Sequence, residues 1–85
     1  MRIWKFVIQP GLRQEIAMPT GALILDAQLQ NGECCLWALC DPVVPRREIR
    51  RFSIYTTGES LPEDPGKYVA TFQVAGGLVF HVFEV

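Results

Sequence analysis

Positive charge is distributed unevenly along this 85-residue sequence, because four arginines fall within six residues: Arg46, Arg47, Arg50 and Arg51. A guanidinium group offers a planar fork of N–H donors that grips a carboxylate or a phosphate with two parallel hydrogen bonds. In a strand, Arg51 lies on the same face as Tyr55 and Arg50 lies on the opposite face, so one of the two arginines is expected at the margin of the core. The alternative is a solvated edge strand, whose charges deter pairing with another sheet. The residues predicted to form a ligand-binding site are Arg50, Arg51, Tyr55 and Thr57.

Histidine and cysteine residues do not form the clusters that catalysis or metal binding requires. His81 is the only histidine and alternates with apolar residues. This position indicates a ring that packs or hydrogen-bonds locally, and a general base or metal ligand is the alternative. The cysteines Cys34, Cys35 and Cys40 are too few for a closed zinc site and odd in number for a disulfide framework. They are predicted to be buried, unreactive thiols.

The remaining polar residues carry no catalytic pattern either. Glu63 and Asp64 lie beside prolines in a loop, where acids are ordinarily solvated. Gly76-Gly77 is not followed by a helix that would cradle a phosphate. A nucleophilic triad needs a histidine or similar base, and the only histidine, His81, lies in the apolar closing strand. We therefore predict a protein that is not an enzyme, with no catalytic residues, no metal and no cofactor.

The charge balance argues against nucleic acid and membranes as partners. The net charge is −1 and only 20% of the residues are charged, so no basic field attracts phosphate backbones. Nucleic acid is therefore the less favoured partner. No run of about 18 apolar residues occurs, and the first residues alternate polar with apolar instead of forming a secretion signal. The expected location is the cytoplasm.

A hydrophobic period of two runs through almost the whole chain and predicts strands rather than helices. An apolar fraction of 49% is enough to form a core in a chain of this length. The sequence thus predicts one all-β domain over residues 1–85, a small antiparallel sandwich or partly closed barrel of about seven short strands. The predicted strands are Arg2–Ile8, Leu12–Met18, Ala22–Gln30, Glu33–Cys40, Glu48–Thr56, Lys67–Val74 and Leu78–Val85.

Two of the predicted strands form a hairpin with distinctive faces. Asn31-Gly32 favours a type I′ turn because both residues accept a positive φ. The strand after the turn, Glu33–Cys40, is apolar on both faces. Such a strand is central in its sheet or is covered by another subunit, so a homo-oligomer is the expected assembly. In the strand before the turn, the residues predicted to face inward are Leu23, Leu25, Ala27 and Leu29.

The longest predicted loop, Thr57–Gly66, contains two prolines and three acidic residues. A loop of this length within a compact domain is often functional. Its acids and rigid prolines suit contact with a basic protein surface, and capping one end of a barrel is the alternative.

Several stretches of the chain together carry a resemblance: Ile3–Phe6, Met18–Ala22, Ile24-Leu25, Gln30–Gly32, Cys35–Leu39, Tyr55–Gly58, Pro62–Gly66, Thr71–Gln73 and Gly77–Glu84. With these stretches the chain resembles a family of short uncharacterised proteins encoded by phages and prophages. The resemblance covers nearly the whole chain, is most specific in the C-terminal half and is weakest from Pro42 to Arg51. It implies a single-domain phage accessory protein outside the obvious enzyme families, and it implies neither catalytic residues nor a fold.

The favoured function is therefore that of a phage accessory binding protein that interferes with a host defence system. Such a protein would bind a host protein or sequester a small anionic ligand. One alternative is a small β-barrel that binds nucleic acid through arginines and aromatic residues. Another is a structural or assembly protein of the virion.

Overall fold

In the computed structural model, which describes residues 1–11 and 13–85, the chain forms seven β-strands and no helix. Among these residues there is consequently no helix that is long and apolar enough to cross a membrane. The strands are β1 (Arg2–Val7), β2 (Gln14–Pro19), β3 (Leu23–Gln30), β4 (Glu33–Cys40), β5 (Arg47–Thr56), β6 (Lys67–Gln73) and β7 (Val79–Glu84).

The predicted all-β class is confirmed, and the predicted strand ends agree with the observed ones within two residues. The predicted strand Leu12–Met18 starts at Leu12, which lies outside the described residues, and the observed β2 starts at Gln14. The agreement is close because prolines, glycines and Asn31 interrupt an otherwise regular alternation.

The strands form two antiparallel sheets, with the orders β1-β4-β3 and β2-β5-β7-β6. Strand β3 lies alongside β6 but the two share no hydrogen-bonded ladder, so the sheets do not close into a barrel. The sandwich is the architecture adopted. In strand β5 the arginine-bearing part, Arg47 to Phe52, pairs with β2, whereas the ladder with β7 begins at Phe52. Apart from the Arg51 carbonyl, which accepts from the Val85 N–H, this part is hydrogen-bonded to one neighbouring strand, as the edge-strand interpretation expects.

The faces of the two sheets that meet carry the hydrophobic core. On β4, every second residue from Cys34 to Cys40 points inward and is buried, as a period of two requires. Fully burying a side chain such as Leu36 or Phe52 stabilises the fold by about 1.5–3 kcal/mol. The second sheet contributes Phe52, Ile54, Ala70, Phe72, Phe80 and Val82.

Strand β3 departs from its predicted alternation at a bulge between Ile24 and Asp26. The Asp26 carboxylate accepts a hydrogen bond from the Ala27 N–H at 2.8 Å within this irregularity. A bulge adds one unpaired residue and shifts the side chains beyond it to the other face. The predicted inward positions of Leu23 and Leu25 are therefore wrong, since these side chains are 55% and 45% exposed. Ala27 is buried as predicted, and Leu29 is 36% exposed.

The predicted hairpins are both present. Asn31 and Gly32 have φ values of 50° and 80°, the two positive values of a type I′ turn, and they join β3 to β4. Gly76-Gly77 lies in the turn that joins β6 to β7. These local turns set the register of the two pairs of strands.

The order and direction of the strands require the loop Thr57–Gly66 to run along one face of the four-stranded sheet. Strands β5 and β6 both pair antiparallel with β7, so they run parallel to each other and the chain must return before β6 begins. The core fills the inner face of this sheet, which leaves the outer face for the return. Burial of Ser53 and Tyr55 on that outer face, at 1% and 3% exposure, agrees with this path. The loop therefore does not cap a barrel end.

Candidate functional site

Arg50 is the most extensively bonded side chain of the arginine cluster. Its Nε donates a hydrogen bond to Glu84, and its Nη2 donates to the second carboxylate oxygen of Glu84 at 3.0 Å. Its Nη1 donates to the carbonyl oxygen of Ala22 at 2.8 Å and to Glu48 Oε1 at 3.3 Å. The hydrogen bond to Glu84 is the main reason that the pKa of Arg50 is raised. Arg50 is therefore a charged clamp between β5, β7 and the chain entering β3.

The other arginines point to different places. Arg51 Nε donates to Glu15 Oε2 at 2.9 Å across the β2–β5 ladder, and both side chains are more than half exposed. The Arg47 guanidinium lies 5.4 Å from the centre of the Trp4 ring, in a cation–π contact. The cluster in sequence is therefore not a cluster of free guanidinium groups in space.

The four predicted site residues do not converge on one space. Arg50 and Arg51 lie on opposite faces of β5, as predicted from the strand period. Tyr55 is buried with an edge-to-face contact to Phe83, at 6.1 Å between ring centres. Thr57 Oγ1 lies 2.8 Å from His81 Nε2. Ligand binding by these residues stays a prediction, and Arg50 is the one that lines the cleft described next.

That cavity is a cleft of about 110 Å³ at the seam where β3 and β6 lie side by side. The Arg50–Glu84 ion pair forms its charged part, and Leu23 and Ile24 contribute an apolar wall from β3. Lys67 and Tyr68, at the start of β6, are exposed and complete the rim. The cleft thus joins an apolar wall, a fixed ion pair and an exposed cation.

Sequence reasoning missed Lys67, Tyr68 and Glu84 as members of this site. Glu84 follows Phe80 and Val82 on the inward face of β7. A carboxylate that continues an apolar face requires a cation or several donors, because burying an unpaired charge is costly. That signal could have paired Glu84 with an arginine, although 34 residues separate it from Arg50.

A second polar group lies on the outer face of the four-stranded sheet. His81 Nδ1 lies 3.1 Å from Thr71 Oγ1, and Tyr68 donates a hydrogen bond from its hydroxyl to Thr71 at 2.9 Å. With Thr57 on the other ring nitrogen, hydroxyl groups engage both nitrogens of the imidazole. His81 therefore hydrogen-bonds locally, which is the interpretation favoured from the sequence.

The cysteines are free and buried, as predicted. Cys34 is 6% exposed, and burial, with a smaller contribution from the adjacent Cys35, raises the pKa of its thiol. Such a thiol stays protonated near neutral pH and reacts slowly, since the thiolate is the nucleophile. Cys34 borders a second cavity of about 140 Å³ together with Val7 and Ile8.

Comparison with protein families gives one match, and it covers the whole chain. Residues 1–85 match the model of a domain of unknown function, DUF7352. The chain belongs to this family. No curated protein and no solved structure matches it. The DUF7352 domain therefore coincides with the two-sheet sandwich, and the expected membership of an uncharacterised family is confirmed.

Proposed function

We propose that this DUF7352 chain is a phage- or prophage-encoded accessory protein that binds a host protein in the host cytoplasm and so interferes with a defence system. It acts by occupying its partner, without catalysing a reaction. The observation that carries this proposal is the cleft at the β3–β6 seam, whose size and rim suit one protruding side chain of another protein.

Cavity size separates protein binding from sequestration of a small ligand. Pockets that enclose a small molecule usually measure about 300–1,000 Å³. The two cavities described above measure about 110 and 140 Å³, which is too small for a nucleotide. Protein interfaces instead use small pockets that take one anchoring side chain at a time. The geometry therefore favours a protein partner over a small anionic signal.

The rim of the cleft has the composition of an interaction surface. Leu23, Leu25 and Tyr68 are 55%, 45% and 56% exposed, so the cleft is flanked by apolar and aromatic surface. Exposed aromatic residues beside a pocket are frequent energetic centres of protein interfaces. This surface would lose its contact with water when a partner covers it.

Charge around the cleft indicates the chemistry of the partner. Arg50 is shared by the carboxylates of Glu84 and Glu48. Lys67 forms no ion pair with the described residues and stays exposed at the rim. The partner is therefore expected to present an apolar side chain to the cleft with an acidic residue next to it, within reach of the Lys67 ammonium.

The test starts from tagged protein in a lysate of the host that carries the gene, followed by titration against the captured partner in purified form. Lys67→Glu and Tyr68→Ala should each weaken binding about tenfold or more, because both remove contacts at the rim of the cleft. Arg13→Glu and Leu78→Ala are the matched controls, since both residues are exposed and lie away from the cleft.

Two results would contradict the proposal. One is a partner whose affinity is unchanged by both cleft variants while the controls behave identically. The other is a nucleotide or similar small anion that raises the melting temperature of the purified chain, because that result would favour sequestration of a ligand.

A further inference from the structure

The outer face of the three-stranded sheet is a second exposed surface, which borders the cleft at Leu23. Register places three rows of side chains across it, and the central row is Lys5, Trp37 and Asp26. Ile3 and Val7 on this face are 62% and 44% exposed. We call the outward-pointing residues of β1, β3 and β4 the open face. Leu39 and Leu23, in the row of Ile3, extend its apolar part towards the seam.

The charges that flank Trp37 have opposite signs and no charged partners among the described residues. Lys5 Nζ donates a hydrogen bond to the neutral Gln30 side chain at 3.1 Å. Asp26 accepts from the Ala27 N–H and, at 3.3 Å, from the Gln28 amide. Lys5 and Asp26 start from the two strands that flank β4, and the bond to Gln30 draws the Lys5 ammonium across β4 towards β3 without an ion pair to Asp26.

We propose that the open face binds a second copy of this chain, with a two-fold axis parallel to β4. Such an axis places β1 of one copy over β3 of its partner. There the Lys5 ammonium can exchange the neutral Gln30 side chain for Asp26 of the partner subunit. This pair forms twice, once on each side of the paired tryptophans. The alternative axis, perpendicular to the strands, would put Lys5 against the partner's Lys5. Opposite charges at the edges of an apolar row therefore select one of the two symmetric arrangements.

Distances across packed sheets fit this arrangement. Sheets that stack face to face are about 10 Å apart, and their strand directions stay within about 30° of each other. A lysine and an aspartate side chain that extend from facing sheets can together span that gap. Trp37 supplies the central aromatic contact, the residue type that dominates interface energies.

The size of the open face limits the strength of the dimer. Three strands about 4.8 Å apart and about seven residues long cover an area of only about 14 by 23 Å. A standard stable interface removes roughly 800 Å² from each partner, which is more than this face can supply. A reversible dimer with a dissociation constant of micromolar order is therefore expected, and it does not depend on the function proposed for the cleft.

Sedimentation velocity from about 1 to 500 µM protein tests this inference. The wild-type chain should pass from monomer to dimer within that range. Lys5→Glu should weaken the dimer about tenfold or more, because it sets two carboxylates against each other at both ends of the row. Lys5→Glu combined with Asp26→Lys should restore the wild-type constant within about threefold. Arg13→Glu, an equal change of charge elsewhere, should have no effect.

Asp26→Lys could unfold the chain, because the Asp26 carboxylate accepts a hydrogen bond from the Ala27 N–H in the β3 bulge. A cross-linking measurement on the wild-type chain tests the inference without this variant. An equimolar mixture of ¹⁴N and ¹⁵N wild-type protein, treated with a carbodiimide, should yield a Lys5–Asp26 amide between light and heavy chains. A monomer throughout the concentration range, a folded double variant that does not recover, or the absence of that mixed cross-link would overturn the inference. None of these outcomes bears on binding at the cleft.

Discussion

The Arg50 guanidinium joins three parts of the chain that are far apart in sequence. It bonds the Glu84 carboxylate on β7, the Ala22 carbonyl before β3 and the Glu48 side chain on its own strand. The Arg50 and Glu84 side chains are each only 18% exposed, so their charges are poorly screened by water. A cation at this position holds the two sheets together beside the cleft and gives the cleft its charged part.

Removing Arg50 should destabilise the chain far more than removing its neighbour. Arg50→Ala leaves Glu84 poorly solvated without its partner, at an expected cost of about 2–3 kcal/mol. Arg51→Ala breaks only an exposed pair with Glu15 and should cost about 0–1 kcal/mol. Urea denaturation measures both values. Equal losses for the two variants would show that the Arg50 clamp does not stabilise the fold.

Cysteine labelling should report the buried state of the thiols. The raised pKa of Cys34 means that its folded form holds its proton above the pH at which an unfolded thiol ionises, about 8.5. The contribution of this thiol to stability is thus complete below that pH and declines as the pH rises through the folded value. Reaction with a disulfide reagent at pH 8 should be at least about 100-fold slower in the native chain than in denaturing urea. Rapid native labelling of Cys34 would contradict the burial.

At the scale of elements, the end of the loop Thr57–Gly66 lies against β7, the strand that carries Glu84. A Cβ atom added at Gly66 would lie 2.3 Å from the carbonyl oxygen of Glu84, far inside van der Waals contact. Gly66 also has a φ of 102°, which L side chains rarely adopt. The end of the loop therefore approaches β7 closely because residue 66 has no side chain.

Two glycines of this loop should respond differently to the same substitution. Gly58→Ala places its methyl group in open space and should cost only the conformational strain of a positive φ, about 1–2 kcal/mol. Gly66→Ala adds a clash with the main chain of β7 and should cost about 3 kcal/mol or more. Thermal unfolding of the two variants makes the comparison, and a Gly66→Ala variant no less stable than Gly58→Ala would exclude the close approach.

For the whole molecule, the stability of each strand against local opening is expected to increase with the number of neighbouring strands to which it is hydrogen-bonded. Strands β4 and β7 are paired on both sides along most of their length, whereas β1 and β2 lie at sheet edges. Strand β5 pairs with β2 in its first half and with β7 in its second half. Amides in doubly paired, buried strands generally open only with global unfolding. The edges are protected by short length, by the charge of Lys5 and by Pro19 at the end of β2.

Hydrogen exchange at low protein concentration should therefore rank the strands. The hydrogen-bonded amides of β4 should exchange at a rate set by global unfolding, and those of β1 and β2 should exchange faster through local opening. Exchange followed by mass spectrometry of peptides resolves these segments. Protection in β1 equal to that in β4, in a chain shown to be monomeric, would contradict this order.

Local patterns in the sequence were sufficient to predict the strands, the two hairpin turns and the buried cysteines. Alternation depends only on the two faces of a strand and on which of them meets water, so it can be read from neighbouring residues. The same holds for Asn31-Gly32, whose positive φ values are a property of the two residues themselves. The opposite faces of Arg50 and Arg51 also followed from the strand period.

Only the tertiary structure decided which strands are neighbours and which polar groups meet. The alternation of the sequence predicts that Leu23 and Leu25 point inward, but the bulge in β3 leaves both side chains exposed. One unpaired residue reverses which face the neighbouring side chains occupy. The Arg50 guanidinium, which the sequence predicts to bind a ligand, instead donates hydrogen bonds to Glu84. The two residues meet because β7 pairs with β5, although 34 residues separate them in the chain. A period describes one strand, whereas a site at the seam between sheets depends on contacts that no single strand contains.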